Sequence, residues 1–175
     1  MNTFTKTSKG PRALTLAAAA AGALLASSGA SASSALEMVV YEDTVQGKRL
    51  VNGQWERVLK DVETRAGARF GDQTNLCVSL TLAGRFDDAA VACDDALAVA
   101  EKTASRPSID DLLEAELDKR RAMAHTNRGV LRALEGDRAG ARSDFEAAIE
   151  LSPRVKAAAA NLDLITVEKT IALAR

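Results

Sequence analysis

The sequence predicts an all-α protein built as a short array of helical hairpins closed by a C-terminal helix. Three observations carry this. Aromatic residues make up only 3% of the chain while alanine is abundant, a composition that suits close helix–helix packing and not a β-sandwich, which needs β-branched and aromatic strands. Apolar residues recur at three- and four-residue steps, interrupted by glycine-containing turns. Two such interrupted segments align with each other: Asn75, Gly84, Ala89, Cys93 and Ala96 fall in register with Asn127, Gly136, Ala141, Phe145 and Ala148 at a constant offset of 52 residues.

Residues 1–32 stand apart. Lys6, Lys9 and Arg12 form a basic start with no acid before Glu37, Ala13 to Ala26 is an apolar run, and Ala30-Ser31-Ala32 is a small-x-small cleavage signal. That order is expected of a secretory signal peptide. The run is shorter than the ~20 residues needed to span a bilayer, so removal is expected and not anchoring, with no stable membrane insertion afterwards. The expected location is periplasmic or secreted. Cleavage takes three basic residues and no acidic ones, leaving 20 basic against 24 acidic residues in 143. A mildly acidic, mixed surface argues against nucleic acid as a partner, since nucleic acid requires a basic face.

The remaining chain divides into residues 33–70, an N-terminal arm or a degenerate hairpin, and residues 71–175, the helical domain. In the first part Met38-Val39-Val40-Tyr41 reads as a short extended segment, and Gly53-Gln54-Trp55 echoes Gly84-Arg85-Phe86. Gly67 and Gly71 are expected to separate it from the helical domain. A long helix is expected over about 109–135, with Ser108 and Asp111 as a capping pair after Pro107. After Pro153 one helix remains, with Leu162, Ile165, Val167 and Ile171 as its apolar face. Helical arrays need such a cap to cover the last exposed surface.

The stretch Ala122 to Pro153 contains Gly129, the turn Gly136-Asp137, the small-aromatic-small set Ala141, Phe145 and Ala148, and a closing proline. It resembles the tetratricopeptide repeat, whose length is about 34 residues; the family's tryptophan, leucine and tyrosine positions hold His125, Arg128 and Arg132. The resemblance implies a module that binds a protein or peptide through the groove lined by the first helix of each hairpin. The matching groove residues are Asn75, Val78, Met123, Asn127, Val130, Asn161 and Leu164. Asparagine recurs in register at 75, 127 and 161 although it is a modest helix former. In the family this position hydrogen-bonds a peptide backbone; a role in stabilising the repeat itself is the alternative. The groove lacks the basic residues that clamp a peptide carboxylate, and the chain's own N-terminal arm is a second possible occupant.

Cys77 and Cys93 lie at similar distances on either side of the Gly84 turn. In antiparallel helices this puts them at nearly equal height, differing by ~1.5 Å. An oxidising compartment then favours a disulfide over two buried thiols. No C-x-x-C motif is present for redox catalysis. His125, the single histidine, is expected to pack or to sit partly exposed, and not to catalyse or to bind metal. The acidic pairs Asp87-Asp88, Asp94-Asp95 and Asp110-Asp111 are expected at helix starts or on solvated faces. Catalytic residues, metal ligands and cofactor-binding motifs are not expected, and an enzyme is the least favoured class. A self-contained structural or envelope-stability protein, with no groove ligand, is the rival to a peptide-binding one.

Overall fold

A computed structural model describes residues 13–15, 35–63, 69–105 and 110–173. Among them the chain is an all-α array with a small two-stranded addition. In order these are β1 (Ala13–Thr15), β2 (Glu37–Val39), α1 (Val45–Val51), α2 (Trp55–Glu63), α3 (Phe70–Leu82), α4 (Phe86–Ala104), α5 (Asp111–Leu134), α6 (Arg138–Leu151) and α7 (Lys156–Leu173).

The helices pair as three hairpins, α1–α2, α3–α4 and α5–α6, and α7 comes after them as a single helix. One turn chemistry makes all three. Gly53, Gly84 and Gly136 each hold positive φ, at 73°, 71° and 88°, a conformation that costs glycine little. The residue after each glycine donates its amide to a carbonyl five residues back: Gln54 to Arg49, Arg85 to Leu80, and Asp137 to Arg132. This is the helix-ending pattern that satisfies carbonyls otherwise left bare. The echo between Gly53 and Gly84 thus marks a real, shortened first hairpin.

Three helix starts, those of α1, α5 and α6, are capped by side chains. Thr44 accepts from the Gly47 amide, Asp110 from Leu112 and Asp137 from Gly140. Asp87 and Asp88 occupy the first turn of α4, where negative charge opposes the helix dipole. Three expectations are corrected. The cap of α5 is Asp110, with Ser108 outside the described residues. Gly71 is no break but a buried residue within α3, where an added Cβ would stand 2.5 Å from the Tyr41 ring. Val167 faces solvent, 56% exposed, because α7 rests on the array through Leu162 and Ile165. Ile171 lies where no side chain is described.

The described residues between 35 and 63 form an extended arm followed by a hairpin at 45–63. The expected leader, 1–32, lies largely outside the described residues. Its segment Ala13–Thr15 does appear, as β1, antiparallel to β2 with Ala13 opposite Val39, Leu14 opposite Met38 and Thr15 opposite Glu37.

The core forms two clusters with the arm between them. Met38 and Val40 join Leu50, Val58, Val78, Val130 and Phe145. Val39 joins Phe70, Leu97, Met123, Val155 and Ala158. Successive strand side chains point to opposite sides, so one extended segment feeds both clusters.

Candidate functional site

The groove formed by α3, α5 and α7 is where the register of asparagines takes effect. Each asparagine bonds both the amide and the carbonyl of one arm residue. Asn161 Oδ1 accepts from the Glu37 amide at 2.8 Å and its Nδ2 donates to the Glu37 carbonyl at 2.8 Å. Asn127 does the same with Val39, at 2.7 and 2.8 Å. Asn75 does so with Tyr41, at 3.0 Å for both bonds, and its Nδ2 also reaches Thr44 Oγ1 at 2.8 Å. The helices α7, α5 and α3 therefore bind residues 37, 39 and 41 in turn, and the arm runs against the order of the hairpins.

The spacing comes from strand geometry. In an extended chain the amide and carbonyl of alternate residues face the same side, so helices in sequence meet every second residue. A primary carboxamide offers one acceptor and one donor side by side, matching the amide and carbonyl of one strand residue. All three asparagines are buried, with at most 1% exposure. An unpaired buried amide is costly, so the same bonds that hold the arm also satisfy the groove.

The other expected groove residues take their places around the arm. Val78 and Val130 pack in the cluster that contains Met38 and Val40. Met123 packs in the cluster that contains Val39. Leu164 is half-buried on α7, between Asn161 and Ile165. The end of the arm is pinned by Tyr41, whose ring meets Phe70 edge-on at 5.3 Å. The Arg120 guanidinium lies 5.6 Å from the Tyr41 ring centre and 6.0 Å from that of Phe70, within cation–π range. Burial pushes the Tyr41 hydroxyl above its ordinary pKa, against the opposing pull of Arg120.

Cys77 and Cys93 form a disulfide between α3 and α4, with Cα atoms 4.9 Å apart. Their register partners in the next hairpin are Gly129 and Phe145. There the ring of Phe145 lies against the bare Cα of Gly129, and an added Cβ would come 2.6 Å from Cε1. The same crossing is thus closed by a covalent bond in one hairpin and by a ring on a glycine in the next.

A second polar cluster escaped the sequence reading. Asp144, buried at the crossing of α5 and α6, accepts from Arg128 at 2.7 and 2.9 Å and from Arg132 at 2.7 Å, and pairs with His125 Nδ1 at 2.8 Å. Arg128 also reaches Asp94 of the preceding hairpin at 3.0 Å. Burial raises the Asp144 pKa, but the hydrogen bonds from His125 and Arg128 and the charges of both arginines outweigh it, and the carboxyl sits below its ordinary value. Arg128 is held protonated more firmly than usual by its bond to Asp144, despite desolvation. The positions matching Arg128, Arg132 and Asp144 in the earlier hairpin are Leu76, Leu80 and Ala92, which line an open pocket of about 320 Å³ with Val91 at its rim. A buried acid preceding Phe145, with two arginines 12 and 16 residues upstream, was the available signal.

Among the described residues no group of three or more His, Cys, Asp or Glu is arranged to hold a metal, and no helix is long and apolar enough to cross a membrane. Comparisons with protein-family models, curated proteins and solved structures find no match.

Proposed function

We propose that this chain is an exported, non-enzymatic interaction protein of tetratricopeptide type, whose backbone-reading groove is filled in cis by residues 37–41. The observation that carries this reading is the set of three asparagine clamps on alternate residues of the arm. Such clamps read an extended main chain whatever its side chains, the chemistry by which a helical groove takes up a peptide. Export to the periplasm or beyond is supported by the character of residues 1–32 together with the Cys77–Cys93 bond, which an oxidising compartment sustains.

With the groove occupied, a protein partner meets the surface around the arm. Displacing the arm would expose Met38, Val39 and Val40, each at most 2% accessible, at about 1.5–3 kcal/mol per side chain, and would leave three buried carboxamides unpaired. The same burial favours the second reading, a self-contained structural or envelope-stability protein. Photo-crosslinking in the producing cell separates the two, with the photoreactive residue placed in turn at exposed Val91, exposed Leu112 and Val130, buried on α5. Discrete adducts to another protein from an exposed position, with none from Val130, are expected. Absence of adducts at every position would favour the structural reading, and adducts from Val130 would show a groove that opens to partners.

A further inference from the structure

The clamps use only one edge of the arm. The amides and carbonyls of Glu37, Val39 and Tyr41 face the helices, and alternation turns those of Met38 to the other side. On that side the structure seats an extended segment: Leu14 stands opposite Met38, with Ala13 and Thr15 opposite Val39 and Glu37. The segment belongs to the stretch whose sequence marks it for removal on export. With that segment removed, the arm, held at one edge by side chains, is left as an edge strand, which presents unpaired main-chain groups as a template for another strand. Charged side chains, prolines or bulges blunt many natural edges; β2 carries one such residue, Glu37 at its start, and Met38, Val39 and Val40 supply none. The arm is also rigidly placed, since three helices clamp it and its side chains anchor both core clusters.

We propose that the outer edge of β2 is the partner-docking surface of the processed protein. A partner contributes an extended, uncharged segment that adds antiparallel across Met38, and Ala13–Thr15 hold that place in the unprocessed chain. The inference rests on the reading of a groove filled in cis. The register sets the chemistry of the occupant. Apolar or small residues suit the positions opposite the buried Met38 and Val39. An acidic residue opposite Glu37 is disfavoured by like charge across the pair. Main-chain bonds would supply the affinity, as in other strand-addition complexes.

The test uses the full chain with its disulfide formed and measures hydrogen exchange at single amides. Leu14→Pro removes the Leu14 donor and places a ring where the strands approach. Exchange of the Met38 amide is expected to rise about tenfold or more in this variant, while Val39, bonded to Asn127, keeps its protection. A capped peptide with the sequence of residues 11–17, added to the variant, is expected to restore Met38 protection saturably. The same peptide carrying proline at the Leu14 position is expected to fail. Unchanged Met38 exchange in the variant, or equal action of the two peptides, overturns strand addition at this edge. Concentration-dependent protection of Met38 without peptide, accompanied by dimer in sedimentation, overturns the partner assignment in favour of a second copy. Loss of Val39 protection together with Met38 overturns the reading of a permanently seated arm, and the docking edge with it; that signature is distinct from failure of the edge alone.

Discussion

Asn127 is the residue on which the arm depends most. Its carboxamide is the middle clamp, and both its partners belong to Val39, which is buried. Asn127→Ala orphans a buried amide and a buried carbonyl, at roughly 1–3 kcal/mol for each group. Asn161→Ala should cost less, because Glu37 is only partly buried and water can replace the lost bonds. Urea denaturation of the two variants is expected to rank them in that order; equal losses would show that the middle clamp is not the more deeply desolvated one. Asp144 makes a second residue-scale case, through pH. Its pKa lies below the ordinary 3.8 in the folded state, so its contribution is complete above about 3.8 and is lost as pH falls from there through the folded value. Asp144→Asn removes that contribution, takes the carboxylate from Arg132 and leaves Arg128 with Asp94 alone, at about 3 kcal/mol near neutrality. The variant's stability is then expected to fall less steeply than that of the parent below pH 3.8. Parallel acid titrations of unfolding would exclude a linked carboxylate at this crossing.

At the scale of the hairpin, two crossings in register are closed by different means, and each can be tested. Where Phe145 lies on Gly129, Gly129→Ala gains up to ~1 kcal/mol of helix propensity but drives a methyl into a fully buried ring. Overpacking of this kind costs about 1–3 kcal/mol, so a net loss is expected. In a Phe145→Leu background the loss should shrink, and strict additivity of the two changes would show that they do not touch. In the other hairpin the Cys77–Cys93 bond closes a loop with a sequence separation of 16, worth about 3 kcal/mol in the chain-entropy view. Replacing both cysteines by alanine is expected to lower stability by that order. Thiol titration of the unreduced, denatured protein should find no free thiol.

This is also the scale at which the sequence is most readable. The turn glycines, the paired cysteines and the recurrent asparagines announce hairpins because local chemistry makes each of them. Gly71 misleads because a helical glycine admits two meanings, a break or a close approach, and only the position of Tyr41 decides between them. The Asp144 cluster stays hidden for a related reason. Arg128 and Arg132 occupy positions where the resemblance leads one to expect apolar side chains, and a buried charge is legible only once its partners are placed. That the arm can occupy the groove is legible as one of two alternatives, but its register is not: Glu37 to Tyr41 carries no helical periodicity, and its partners lie 34, 88 and 124 residues away.

Those long separations set the behaviour of the whole molecule. A helical array without an arm is held by contacts between neighbours, so its ends can fray and its hairpins can unfold in steps. Here one five-residue segment is bonded to α3, α5 and α7 together, and its side chains join both core clusters. Opening the last helix therefore releases Glu37, and releasing the arm strips the groove of each preceding helix. The expected consequence is a single cooperative transition. Trp55, the one tryptophan of the chain, lies in α2 and packs partly buried against the first core cluster, so its fluorescence reports on the first hairpin, whereas far-ultraviolet circular dichroism reports on all the helices. In urea the two signals should coincide for the parent protein, as two-state unfolding requires. Combining Asn75→Ala, Asn127→Ala and Asn161→Ala cuts all three clamps and, of the hydrogen bonds between hairpins, removes the one from Asn75 to Thr44 at the start of α1. The signals are then expected to separate, because the hairpins regain the independence of an array joined only through its neighbours. Coincident transitions in the triple variant would mean that the helix–helix interfaces alone make the molecule cooperative and that the arm adds stability without coupling the ends.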